Sequence, residues 1–283
     1  MQIAKRALAV ARAFFLFGAV LSTSTCSSYL FDPADGIDSL ARDNGFKRVT
    51  FQTSVFTLVG YGSPRELGNG QTLKIYIEGD GNAWKTRRLP SNDPTPLNPV
   101  ALRLAVKDVS PILYLARPCQ IVRGANRRSC DVRYWTSARF SREVVTAMNE
   151  AINSFIGRSR NIRITLVGYS GGGALATILA AIRNDVVKLI TVAGTLDHEA
   201  WTRHHRVSSL VQSLNPADYA ERIASLPQYH FIGAKDKIVP SLVYDSYARR
   251  LGAGHRSKSL LIPGFTHKCC WEQKWQQLLS ATE

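Results

Sequence analysis

At 283 residues with 45% hydrophobic content the chain can bury a sizeable core, and α/β folds of this length commonly form one domain. The formal net charge is +15, yet no RNP, zinc-finger or helix-turn-helix signature accompanies it, so nucleic acid is not expected as a partner. The basic surface is left to anionic lipid, an acidic envelope polymer or plain solvation.

The chain opens with Lys5, Arg6 and Arg12, an apolar run over Ala13 to Leu21, and a Ser/Thr stretch. That run is less than half of the roughly 20 residues a membrane-spanning helix needs, and it fits the apolar core of a secretory signal over residues 1–25. Export to the periplasm is the expectation. Cys26 follows Thr23-Ser24-Thr25 and resembles the cysteine of a bacterial lipoprotein signal. Lipidation there would attach the protein to the outer membrane, and ordinary cleavage near Ser24 is the alternative.

Residues 26–48, with Pro33, Gly36 and Gly45, read as a lead-in lying on the surface. Val49 to Val59 reads as a strand, Gly60 to Gly70 as a turn and Thr72 to Ile77 as a second strand, which together predict an antiparallel hairpin. An Asp-Gly-containing stretch, Glu78-Gly79-Asp80-Gly81-Asn82-Ala83-Trp84, follows at once, then a loop with Pro90, Pro94, Pro96 and Pro99. Ala101 to Val106 predicts a short helix and Ile112 to Leu115 a buried strand. Cys119 and Cys130 bracket a polar loop with no apolar pattern of its own; a disulfide there would contribute roughly 2–3 kcal/mol by restricting the unfolded chain. Arg123, Arg127 and Arg128 in that loop are read as solvated cations, with contact to an acidic substrate group as the alternative.

Ser141 predicts an N-cap for a helix whose apolar face runs from Val144 to Ile156. Ile162 to Tyr169 then reads as a buried strand, Gly168-Tyr169-Ser170-Gly171-Gly172 as a tight turn, and Ala174 onward as a helix. A turn this tight needs residues without a Cβ around the serine, and it aims the Gly171 N–H at any oxyanion formed on a carbonyl that Ser170 attacks. Val186 to Val192 is a near-continuous apolar run, as in a parallel strand covered on both faces. Two further strands end near Asp236 and His267. Strands alternating with helices predict an α/β fold with a doubly wound, mostly parallel sheet behind the N-terminal hairpin.

The Gly168-x-Ser170-x-Gly172 turn, with Asp236 and His267 following in that order, resembles the nucleophile elbow and triad of the α/β-hydrolase superfamily over residues 49–283. The resemblance implies an exported serine esterase in which Ser170 attacks an acyl carbon, His267 moves the proton and Asp236 orients His267. Asp197, which also follows a strand, is the rival acid. The family's second oxyanion donor comes from the loop after the second strand, here Gly79 and Asp80, and residues 194–228 fall where the family inserts a cap. Trp84, Tyr169 and Asp197 are candidate substrate-lining residues. The substrate class is a small-molecule or lipid-like acyl compound, with membrane association through Cys26. A peptidase or amidase, and a non-catalytic envelope protein keeping the fold, are the alternatives. No cofactor is expected, since no Cys-x-x-Cys or His/Cys spacing suggests a metal. Adjacent Cys269 and Cys270 form either a vicinal bridge or two separate thiols.

Overall fold

The computed structural model describes residues 32–65, 67–127 and 129–283, so the export segment 1–25, Cys26 and Arg128 lie outside the described residues. Eight strands form the sheet: β1 (Lys47–Gln52), β2 (Thr57–Gly62), β3 (Thr72–Ile77), β4 (Ile112–Leu115), β5 (Arg163–Tyr169), β6 (Val186–Val192), β7 (Gln228–Gly233) and β8 (Ser257–Ile262). They lie in the order β1-β2-β4-β3-β5-β6-β7-β8. From β4 to β8 every pairing is parallel, while β1 with β2 and β2 with β4 are antiparallel. This is the mostly parallel α/β sheet with an antiparallel N-terminal hairpin.

The hairpin itself differs from the expectation. Val49 to Val59 is two strands rather than one, because Thr53 turns the chain: its hydroxyl donates to the Phe56 carbonyl at 2.6 Å and accepts the Phe56 N–H at 3.0 Å. Thr72–Ile77, expected as the second arm, is instead buried in the middle of the sheet with parallel neighbours on both sides. Its apolar character on both faces is what a central parallel strand requires. The lead-in also differs, since Pro33–Asp43 is a helix, α1. Asp32 caps it by accepting the Ala34 N–H at 2.9 Å, and Pro33 sits at the first helical position, where its missing N–H costs nothing.

Alternate side chains of the central strands feed two cores. Leu73, Ile75, Ile164 and Leu166 face α3 (Arg142–Ile156) and α4 (Gly171–Ile182). Tyr76, Tyr114, Val167 and Val192 face α2 (Val100–Ala105) and α7 (Trp271–Ser280). Ser141 caps α3 as expected, accepting the Val144 N–H at 3.4 Å. Burying both faces fixes the register of each strand, since a one-residue slip would exchange the two cores. The chain runs from β3 outward to β4 and then returns to β5 on the other side of β3. Loops leaving β3 and β5 therefore part at the C-terminal edge, the switch point where open α/β sheets hold their ligands.

Candidate active site

Ser170 sits at that switch point. Its backbone has φ 53° and ψ −120°, a region costly for any residue with a side chain, and the surroundings hold it there. The Ser170 N–H donates to the Val192 carbonyl at 2.9 Å, and its carbonyl accepts from Gly173 at 2.9 Å and Thr195 at 3.0 Å. Glycine is obligatory at 168, because a Cβ there would run into the backbone of Gly172 and Gly173 at about 2.6 Å.

Two other strand ends converge on the serine. Beyond β7, Asp236 closes a turn by donating its N–H to the Gly233 carbonyl at 3.0 Å. One carboxylate oxygen accepts the N–H groups of Ile238 and Val239, each at 2.8 Å, which leaves the other to face His267 Nδ1 at 2.8 Å. Beyond β8, His267 places Nε2 3.0 Å from Ser170 Oγ. The carboxylate only accepts, so Nδ1 carries the proton and Nε2 is left as the acceptor for the serine hydroxyl. Tyr169 Oη and Trp271 Nε1 both donate to the His267 carbonyl, at 3.1 and 2.9 Å, and hold the loop from below. Cys269 and Cys270 are joined as a vicinal pair in the same turn, where the Thr266 N–H donates to the Cys269 carbonyl at 3.1 Å.

On the opposite flank the loop after β3 packs against Ser170: a Cβ on Gly79 would lie 3.2 Å from the Ser170 Cβ. Of the two amides expected here, Gly79 is a correction. Its N–H donates to the Glu78 carboxyl at 2.9 Å and is not free for a ligand. The N–H groups of Asp80 and Gly171 meet no acceptor among the described residues. The Asp80 side chain turns away into Arg117 and Arg139, the latter at 2.6 Å. Burial alone would raise the Asp80 carboxyl, but the two guanidinium charges outweigh it and hold the group below the usual carboxylate range. Gln120 completes the brace by donating to the Gly79 carbonyl at 3.0 Å. Gln120 lies inside the loop closed by the Cys119–Cys130 disulfide.

Glu78 makes no ion pair of this kind among the described residues. It accepts from the Gly79 and Ala101 N–H groups and the Tyr114 hydroxyl, but burial outweighs these hydrogen bonds and pushes its carboxyl up to about 7. Two carboxyl groups separated by one residue are thus driven in opposite directions. Sequence reasoning missed Arg117, Arg139, Gln120 and the burial of Glu78. Their partners lie 37, 59 and 41 residues away for the first three, and no local pattern links them.

A cavity of ≈ 270 Å³ opens over Ser170 and His267, lined on its apolar side by Pro96, Leu97, Val100 and Ile238. Tyr169 lines it; Trp84 and Asp197 do not. Trp84 sits on an outward excursion, bridged to Pro90. Asp197 caps α5 (His198–His205), accepting from Glu199, Ala200, Asn215 and Ser246, while His267 Nδ1 faces Asp236 instead. Arg123 is paired with Asp32 and Asp35, and Arg127 with Asp93, so neither lines the cavity. His230 is buried, with Nδ1 2.7 Å from the Thr191 hydroxyl. A larger cavity of ≈ 590 Å³ in the 198–222 region contains no member of the Ser170 cluster. The buried His198 lies at its wall. Among the described residues no group of His, Cys, Asp and Glu side chains could hold a metal ion.

No protein-family model matches the chain, and no curated protein matches it in sequence. Solved structures do. The chain is similar to the Pyrococcus furiosus esterase Pf2001, with 14% identity, a TM-score of 0.60, and 86% of this chain and 93% of that one covered. It is also similar to a bacterial membrane phospholipase A, at 14% identity and a TM-score of 0.57, covering 88% of this chain and 91% of that one. The acylaminoacyl peptidase of Pyrococcus horikoshii matches at 10% identity and a TM-score of 0.57, over 84% of this chain but 40% of that one. The chain therefore has the α/β-hydrolase fold.

Proposed function

We propose that this α/β-hydrolase-fold chain is an exported serine hydrolase that cleaves an ester, carboxylic or thio, through an acyl-enzyme on Ser170. The observation that carries the reading is the unbroken run of contacts from Asp236 to His267 Nδ1 and from His267 Nε2 to Ser170 Oγ, at 2.8 and 3.0 Å. A serine hydroxyl is a weak nucleophile at neutral pH, and a neutral imidazole at this distance takes its proton as Oγ bonds to the acyl carbon. Asp236 holds the ring with Nε2 unprotonated and stabilises the imidazolium that follows. The N–H groups of Gly171 and Asp80, free of acceptors among the described residues, are the donors for the oxyanion, and the positive end of α4 adds to them. His267 returns the proton to the leaving oxygen or sulfur as its bond to the acyl carbon breaks. Water, deprotonated by the same nitrogen, then hydrolyses the acyl-enzyme.

The apolar lining of Pro96, Leu97, Val100 and Ile238 suits the acyl group of the substrate. Export rests on the Ala13–Leu21 segment and on the cysteine pairs, which belong to an oxidising compartment. Membrane attachment rests on Cys26 and is tested by fatty-acid labelling lost in Cys26→Ser. The catalytic reading is tested with a fluorophosphonate probe. Labelling is expected in the wild type and absent in Ser170→Ala, with turnover of short p-nitrophenyl esters above that of acyl amides. Labelling that survives Ser170→Ala would end the reading, and amide turnover above ester turnover would replace the esterase with an amidase.

A further inference from the structure

The loops that follow β3, β7 and β8 all leave the same edge of the sheet, because those strands are parallel. On these loops four large apolar side chains face solvent: Trp84 at 41% exposure, Leu89 at 55%, Leu97 at 69% and Ile238 at 51%. Leu97 and Ile238 form the rim of the cavity over Ser170. Trp84 and Leu89 ride on a tight excursion held by the Trp84–Pro90 bridge and by Lys85 N–H donating to the Leu89 carbonyl at 2.9 Å. That excursion begins directly after Gly81 and Asn82, which also line the cavity.

Single exposed apolar residues are ordinary on any surface. What sets these apart is the charge among them. Lys85, Arg87, Arg88, Lys235, Lys237 and Lys268 are exposed on the same three loops, and none makes an ion pair among the described residues. The acids of these loops offer them nothing: Asp80 is neutralised by Arg117 and Arg139, Asp93 faces Arg127, and Asp236 is buried against His267. Large apolar side chains interleaved with unpaired Lys and Arg match the boundary of an anionic bilayer, where the former enter the headgroup–acyl layer and the latter meet lipid phosphates. A soluble polyanion would satisfy the cations and leave Leu97 and Ile238 in water.

We propose that the mouth of the Ser170 cavity docks on an anionic lipid bilayer and draws its acyl substrate from that membrane. The docking stands apart from the catalytic reading, and only the membrane-borne substrate rests on it. The test uses the full chain carrying Cys26→Ser, so that no lipid anchor contributes, and measures co-sedimentation with phosphatidylcholine vesicles with and without phosphatidylglycerol. Wild type is expected to partition onto the anionic vesicles. Trp84→Ser with Leu89→Ser should weaken that partition about tenfold, and Arg87→Gln with Arg88→Gln roughly twentyfold. Both variants should keep Ser170-dependent labelling by a soluble fluorophosphonate. Absence of vesicle binding by the wild type would overturn the proposal. So would equal binding by the Trp84→Ser, Leu89→Ser variant, or retention of dextran sulfate in place of vesicles. Vesicle binding in a chain whose Ser170 is never labelled would uphold the docking and sink the catalytic reading instead.

Discussion

The two flanks of Ser170 are built by different means. On one flank, Asp236 and His267 sit one short turn past β7 and β8, and the ends of those strands fix them. On the other, Glu78 to Gly81 has no helix or strand of its own and is held by side chains reaching from elsewhere: Arg117, Arg139 and Gln120. The first flank is secured by backbone geometry, the second by charge and hydrogen bonds. Substitutions on the first should therefore remove chemistry while leaving the fold intact, whereas substitutions on the second should cost stability and chemistry together.

The sharpest form of that contrast is Asp236→Asn. The amide oxygen can still accept from Ile238 and Val239, so unfolding by urea should shift little. The amide nitrogen cannot accept from Nδ1, which forces the imidazole into the tautomer that cannot take the Ser170 proton. Ester turnover should fall about 10⁴-fold at an unchanged KM. Asp80→Ala, on the other flank, strands two guanidinium groups, of which that of Arg117 is almost wholly buried. Urea unfolding should show a loss of about 3 kcal/mol, and kcat should drop about 10²-fold as the Asp80 amide loses its position. If Asp80→Ala were inactive yet as stable as the wild type, the distinction between the flanks would fail.

Reducing the Cys119–Cys130 disulfide, or replacing both cysteines by Ala, tests the same brace from one step further out. Opening a loop of 11 residues should lower stability by about 2 kcal/mol. Because Asp80 keeps its two arginines, kcat should change less than in Asp80→Ala.

The same difference explains what the sequence made readable. The strand–turn–helix around Ser170 is written in adjacent residues, and Asp236 and His267 each end an apolar run, so local pattern sufficed to nominate them. The α/β class followed from alternation of strands and helices. The hairpin turn escapes local pattern because the residues that turn the chain, Thr53 and Phe56, work through a side-chain hydroxyl rather than through Gly or Pro. The engagement of the Gly79 N–H is not legible either, because nothing local says that the Glu78 carboxyl folds back on the next amide. Arg117 and Arg139 were invisible because an ion pair across 37 or 59 residues leaves no period.

Glu78 gives the finest test, through pH. Its folded carboxyl lies near 7 against an ordinary 4.5, so the folded chain holds a proton that the unfolded chain releases, and this contribution to stability is lost as pH rises through 7. His230 works the other way: burial holds its folded imidazole near 3 against an ordinary 6.5, so its contribution is present above 6.5 and lost as pH falls toward 3. Between 4.5 and 6.5 the two slopes oppose each other, and wild-type stability should be nearly flat there. Glu78→Gln keeps an acceptor for Gly79 and removes only the titration. Its stability should climb with pH across that window, by on the order of 2 kcal/mol, because the His230 slope then stands alone. Urea unfolding at half-unit pH steps reads this directly. Parallel curves for wild type and variant would mean that Glu78 stays ionised in the folded chain, and a carboxylate charge would then sit in the cavity where the proposed reaction would develop its oxyanion.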